Sequence, residues 1–338
     1  MKAAVIYSPG DVRVIDIDIP KPNTGEVLIK VKACGVCGTE YTLFKGGYYA
    51  NYPVVLGHEY AGEIAEVGPE VHNLKPGDRV MVDPNIVCHR CDFCRMGSEH
   101  LCENLLTIGI HINGGNAEYS LVPETNVYKL AENMTLEQGA FCEPLACVIR
   151  GFEVGPVQLG DTVLVLGAGS IGNMVMQCAA RAGASNIIVS EPIELRRKIA
   201  FENGATHIIN PTQQDLSEEV KKIKRIGADV VFECAGKPSV QTAAITLVRK
   251  GGTVVLFGVS PKGEKIEICP FDVNENEIRI TGSFNNPNTQ AQAHQMLASN
   301  MIRVDNLVSH RIPLNKYPEV FNIFGRADSL KTMVIMDA

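Results

Sequence analysis

The sequence predicts an α/β protein in two parts, a β-rich N-terminal domain and a doubly wound parallel sheet. Two patterns and one motif carry that prediction. In residues 1–85 apolar and polar positions alternate, the mark of strands with one buried face. Beyond residue 150, short continuous apolar runs alternate with helical stretches, which reads as parallel strands covered by helices on both faces. A glycine-rich turn, Gly167-Ala168-Gly169-Ser170-Ile171-Gly172, stands where the first of those runs gives way to a helix. The length of 338 residues agrees, since domains average ~150 residues.

The elements follow in order. Met1–Ile6 carries one basic residue and no long apolar core, so it reads as a first strand and not a signal peptide. Val12–Ile17 and Glu26–Ala33 alternate as strands, with Pro20, Pro22, Asn23 and Gly25 marking the turn between them. Residues 86–104 are poor in strand formers and rich in Cys, His and Arg. Ala117–Val122 returns to strand character. Thr162–Leu166, Asn186–Ser190, Asp229–Glu233 and Thr253–Phe257 are the apolar runs of the second part, with helices over Ile171–Gly183 and Leu195–Asn203. After Thr281-Gly282 the pattern loosens.

Composition narrows the function. The net charge is −7, which speaks against a nucleic-acid binder, because phosphates need a basic face. No apolar run approaches the ~18 residues of a spanning helix. Eleven cysteines, an odd number, make a poor disulfide framework and suit reduced thiols and metal ligation.

Four of those cysteines, Cys88, Cys91, Cys94 and Cys102, fall within one short lobe. Thiolates so spaced can wrap one zinc ion tetrahedrally, and a four-thiolate site has no open position, so this zinc is structural. An iron–sulfur cluster and plain buried thiols are the alternatives. A second set is mixed: Cys37 in Gly35–Thr39, His58 and Glu59 in Gly57–Glu59, and Glu143 before Pro144-Leu145. Cys, His and Glu with one position left for water form a catalytic zinc pattern. Taken alone the set reads more readily as a core histidine and an ordinary buried cysteine. The glycine turn is a stronger signal, because it follows a strand and opens a helix whose N-terminus offers amides to a pyrophosphate. Gly167, Gly169 and Gly172 form that turn, and Glu191 at the end of the next strand would accept a ribose diol and repel a 2′-phosphate. That combination predicts NAD.

Taken together and in this order, Gly35–Glu40, Gly57–Glu59, the four-cysteine lobe, Glu143–Leu145 and Gly167–Gly172 resemble the zinc-dependent medium-chain dehydrogenase/reductase family over nearly the whole chain. Glu143-Pro144-Leu145 is similar to its polyol (sorbitol) dehydrogenase branch. The resemblance implies a GroES-like β-rich catalytic domain over residues 1–150, including the structural-zinc lobe 86–104. A Rossmann NAD-binding domain would span 151–282, and a return segment, 283–338, would complete the catalytic domain. It implies that Cys37, His58 and either Glu59 or Glu143 hold a catalytic zinc, with Glu40 bracing His58, and that Thr39 accepts the substrate's hydroxyl proton. Ile171, Arg196, Gly258, Val259, Ser283 and Phe284 match family positions that line the cofactor. The histidine that many relatives carry at the end of the proton relay is Thr42 here, and the Arg-Tyr pair of animal sorbitol dehydrogenases is Asn285-Asn286. Asn116, His111, Asn285 and Asn286 are then candidates for contact with substrate hydroxyls.

The expected activity is hydride transfer between NAD and a secondary alcohol of a sugar alcohol, aldonate or cyclitol. Threonine or butanediol is the alternative substrate. Two zinc ions per chain, one catalytic and one structural, are expected. The expected partners are a small-molecule alcohol or ketone and further copies of the chain in a homodimer or homotetramer, with neither nucleic acid nor membrane involved. A cytoplasmic location is expected.

Overall fold

The computed structural model describes residues 1–336. They form two compact units. One comprises Met1–Ala146, Asn286–Asn300 and the chain from Val308; the other comprises Cys147–Asn285 and Met301–Leu307. The tail therefore does not run as one segment from residue 283. Residues 301–307 pack with the second unit because Gln177 grips them: its side-chain amide donates to Arg303 O at 2.9 Å and its Oε1 accepts from Arg303 N at 2.8 Å. Asn203 and Asn306 add a further amide pair.

The first unit is built on a seven-stranded sheet whose centre is the strand Glu26–Gly35. That strand pairs antiparallel with Glu59–Val67, Tyr119–Pro123 and Lys331–Ile335. Its neighbours come from across the whole chain, which is why the C-terminal strands Val308–Pro313 and Lys331–Ile335 escaped the sequence pattern. A smaller sheet, Lys2–Ser8 with Asp11–Asp16 and Val54–Val55, closes over it. The core between them holds Ile6, Ile29, Leu43, Leu56, Tyr60 and Tyr317, all buried. The cysteine-rich lobe stands on a two-stranded stem, Asn85–Ile86 with Leu106–Thr107.

The second unit is a six-stranded, all-parallel sheet. In space its strands run His207–Ile209, Asn186–Ser190, Thr162–Leu166, Ala228–Glu233, Val248–Leu256 and Arg279–Gly282. Three of the predicted strands appear within a residue of their expected bounds; Val248–Leu256 begins five residues earlier than Thr253. The strand order reverses between Thr162–Leu166 and Ala228–Glu233, the switch point at which such sheets bind ligands beyond their carboxyl ends. Helices Leu216–Ile223 and Pro238–Leu247 went unseen in the sequence; the first is largely polar. Among the described residues no helix is long and apolar enough to cross a membrane.

Candidate active site

In the first unit, Cys37 ends the turn after the central strand and caps the helix Gly38–Phe44. His58 and Glu59 lie at the start of Glu59–Val67, whose Glu59 is in register with Gly35. The pairing of the two strands thus brings the segments together. One ligand atom from each of Cys37, His58 and Glu59 lies within 4.8 Å of the others. His58 and Glu59 are buried, and His58 Nδ1 has no hydrogen-bond partner among the described residues. Burial first, and then the Glu59 carboxylate, push the Cys37 thiol up to about 12. A metal ion at this point would bind the thiolate and displace that proton. Sulfur, imidazole and carboxylate at this spacing fit zinc with one position open.

Glu143 stands outside that triplet, at the start of the helix Cys142–Val154, yet its charge also raises the Cys37 thiol. Thr39 lies beside the triplet, its Oγ1 3.6 Å from Cys37 Sγ. Thr42 does not present a free hydroxyl, since it donates to the Gly38 carbonyl one helical turn back.

Two buried groups around the triplet, Lys331 and Tyr317, were not legible in the sequence. Lys331, on the C-terminal strand, forms an ion pair with Glu59, and both are almost wholly buried. Burial alone would lower the Lys331 ammonium, but Glu59 and Cys37 outweigh it and hold it raised. Gly35 makes room for the pair: a Cβ there would collide with Glu59 Oε2 and come within 2.8 Å of Lys331 Cε. Glu40 does not hydrogen-bond His58 as expected. Its carboxylate accepts from Cys37 N (2.7 Å), Asn116 Nδ2 (2.7 Å) and Tyr317 OH (2.8 Å), so it braces the Cys37 turn and acts on His58 through charge. Asn116 and Asn286 are buried and donate to Glu40 and Glu143. His111 Nδ1 accepts from Thr107 N. Asn285 belongs to the second unit, where its side-chain nitrogen is buried.

The four lobe cysteines converge as a second cluster, with their sulfurs within the same limit. The backbone N–H groups of Arg90 and Cys91 lower the Cys88 thiol to about 6. Buried Cys94 is held up instead, to about 12. A four-thiolate metal would draw off these protons together.

In the second unit every expected cofactor residue lies on or just beyond the carboxyl edge of the parallel sheet. Gly167 leaves Thr162–Leu166 at φ +102°, and its N–H donates to Ser190 O. A Cβ at Gly172 would strike the Gly167 carbonyl, so the glycine lets helix Ser170–Arg181 start tight against the turn. Gly169 caps that helix and Ile171 stands in its first turn. Asn173 ties it by donating to Ala168 O and Gly169 O. Glu191 follows Asn186–Ser190, and its two oxygens accept from Ala168 N and Ile193 N. Its carboxylate is thus fixed beside the glycine turn. Arg196 is on the next helix. Gly258 and Val259 follow Val248–Leu256, and Ser283 and Phe284 follow Arg279–Gly282. Val259 and Phe284 leave 81% and 48% of their surface exposed, an apolar surface next to the sheet edge. Buried Glu233 was not foreseen. It accepts from Ala235 N and Gly236 N and shapes the turn against Gly258.

Comparison with known proteins finds relatives along nearly the whole chain. The alcohol dehydrogenase GroES-like domain family matches residues 23–132, and the zinc-binding dehydrogenase family matches residues 170–299. Sorbitol dehydrogenase of Bacillus subtilis is 34% identical over 99% of this chain and 97% of its own length. L-threonine 3-dehydrogenase of Pyrococcus furiosus is 34% identical over 95% and 94%. A structure from Sinorhizobium meliloti 1021, assigned there as a zinc-binding dehydrogenase and bound to NADP, superposes with a TM-score of 0.97 at 40% identity, covering 99% of both chains. With a Cys37–His58–Glu59 triplet, a four-cysteine lobe and a glycine turn at the switch point of a parallel sheet, this chain belongs to the zinc-dependent medium-chain dehydrogenase/reductase family.

Proposed function

We propose that the protein oxidises a secondary hydroxyl of a polyhydroxylated substrate (a sugar alcohol, aldonate or cyclitol) with NAD, and reduces the matching ketone in reverse. The observation that carries this reading is the Cys37–His58–Glu59 triplet, its His58 and Glu59 buried and Glu143 near it, in a chain similar to sorbitol dehydrogenase over its whole length. The threonine dehydrogenase likeness favours a second reading, a smaller secondary alcohol such as threonine or butanediol.

Zinc in the triplet supplies a Lewis acid for the alcohol oxygen, and the nicotinamide ring supplies a hydride acceptor. The chain does the rest. Cys37, His58 and Glu59 hold the ion, with Glu143 available as a further carboxylate. Two anionic ligands would cancel a divalent charge, and Lys331 neutralises one of them. Lys331 thereby limits the negative charge that faces the oxygen that becomes anionic. Thr39 accepts the substrate's hydroxyl proton beside Cys37 and passes it on. Gly167, Gly169, Ile171 and Gly172 leave space for the pyrophosphate against the helix N-terminus. Glu191 accepts the ribose diol, and Arg196, Gly258, Val259, Ser283 and Phe284 line the remainder. The four lobe cysteines hold the structural zinc. A cytoplasmic homodimer or homotetramer belongs to the same proposal, on the cysteine usage and the family resemblance.

The test is NADH production by the purified zinc-loaded protein across a panel of sugar alcohols, aldonates, cyclitols, threonine and butanediol. The polyol reading requires kcat/KM for at least one polyhydroxylated substrate to exceed that for threonine and butanediol; the reverse order establishes the second reading.

A further inference from the structure

Asn286 is 1% exposed, and its side-chain amide is fully committed. Its Nδ2 donates to Glu143 Oε1 at 3.0 Å and to the Glu143 carbonyl at 3.3 Å. Its Oδ1 accepts from Asn85 Nδ2 at 2.6 Å. Asn85 is itself pinned at three points. Its N–H and its Nδ2 both donate to Asp83 Oδ1 at 3.0 Å, and its carbonyl accepts from Asn126 Nδ2 at 2.8 Å. Asn85 opens the strand that pairs with Leu106–Thr107 to form the stem of the four-cysteine lobe. Three residues on, Thr289 Oγ1 donates to Ala146 O at 2.8 Å, so residues 286–289 clamp the first turn of the Glu143 helix.

We propose that Asn286, held in turn by Asn85, is a positioning residue for Glu143, so that the stem of the four-cysteine lobe sets the carboxylate that serves the Cys37–His58–Glu59 metal site. The argument is one of geometry. A glutamate has three rotatable bonds, and a carboxylate free to sample them serves a metal or its water poorly. One charge-assisted amide bond to Oε1 and one to the same residue's carbonyl fix the side chain against its own backbone and so orient the second oxygen. The anchor must be rigid, and Asn85 provides that through the lobe stem. An amide chain that ends on a buried carboxylate needs every member satisfied, and from half-buried Asp83 and Asn85 to buried Asn286 and Glu143 each link is made. On this account the lobe does more than hold its own fold. The proposal rests on the reading that Glu143 serves the metal, and its test separates the two.

The test uses the full-length protein with cobalt(II) at the Cys37 site, following the visible spectrum and the affinity for the metal by chelator competition. Asn286→Leu is expected to weaken affinity at the Cys37 site about ten- to a hundredfold and to alter its spectrum, while the sulfur-only lobe keeps its own. Asn85→Leu should do the same more weakly. The double variant should be no worse than Asn286→Leu alone, whereas two merely structural losses would add. An unchanged spectrum and affinity in Asn286→Leu, with both altered in Glu143→Ala, overturns the positioning role. No change in Glu143→Ala itself overturns instead the underlying reading of Glu143. Should Asn286→Leu fail to melt cooperatively, Asn85→Leu is read against Glu143→Ala by the same criteria.

Discussion

Thr39 and Lys331 test the chemistry from opposite sides. Thr39 carries the only proton acceptor placed in the mechanism beside the Cys37 sulfur, whereas Thr42 spends its hydroxyl on the helix backbone. Thr39→Val should therefore lower kcat by about a hundredfold with the melting temperature unchanged; an unaltered kcat would make Thr39 a packing residue. Lys331 has its ammonium buried against Glu59. Lys331→Met removes a cation and leaves a buried carboxylate alone, which costs about 3–5 kcal/mol in a metal-free chain. Zinc would compensate that lone charge, so denaturant unfolding should show a large loss without metal and a smaller one with it. The same variant should have a lower kcat even when zinc-loaded, because the site has then lost the cation that offsets Glu59. Equal losses with and without zinc would show that Lys331 is indifferent to the metal.

The parallel sheet and the lobe carry their own predictions. Asp229 is buried at the amino end of Ala228–Glu233 and accepts from Thr162 N, Lys224 Nζ and Arg249 Nε. It thereby ties a neighbouring strand, the approach to its own strand and the strand beyond. Burial alone would raise its carboxyl, but Arg249 and Lys224 outweigh it and hold it below the ordinary value. A depressed carboxyl adds stability above its unfolded pKa and loses it as pH falls through the folded value. Asp229→Asn should thus destabilise by about 1–3 kcal/mol near neutrality. The difference from the parent should close below about pH 4; a gap independent of pH would remove the ionic account. In the lobe, Cys94→Ser deletes one thiolate from a site whose metal binding is folding energy. Its melting temperature should fall and one equivalent of zinc should be lost, while an unchanged melt would show that the lobe does not depend on metal.

For the whole chain the expected stoichiometry is two zinc ions, because the two ligand clusters share no residue; one ion per chain, or iron, on metal analysis would contradict it. The expected cofactor preference is NAD. The Glu191 carboxylate is locked by Ala168 and Ile193 amides beside the glycine turn, where a 2′-phosphate would meet a fixed negative charge. The NADP-bound relative from Sinorhizobium meliloti makes this a sharp test. Comparable kcat/KM for the two cofactors would contradict this preference.

Sequence alone was sufficient for what depends on near neighbours. The four lobe cysteines, the Gly167–Gly172 turn and the 37–40 and 57–59 motifs are each contained in a few residues, and their chemistry follows from local spacing. The parallel strands were legible for the same reason, since a strand buried on both faces is apolar throughout. Tertiary structure decided whatever depends on distant partners. Lys331 meets Glu59 across 272 residues, Tyr317 meets Glu40 across 277 and Asn286 meets Glu143 across 143. Read in sequence, each is an ordinary polar residue on a strand or in a loop. Only the folded chain buries them, Lys331 on the strand that pairs with residues 26–35, and a buried polar group must find its partner or forfeit the free energy of its hydration.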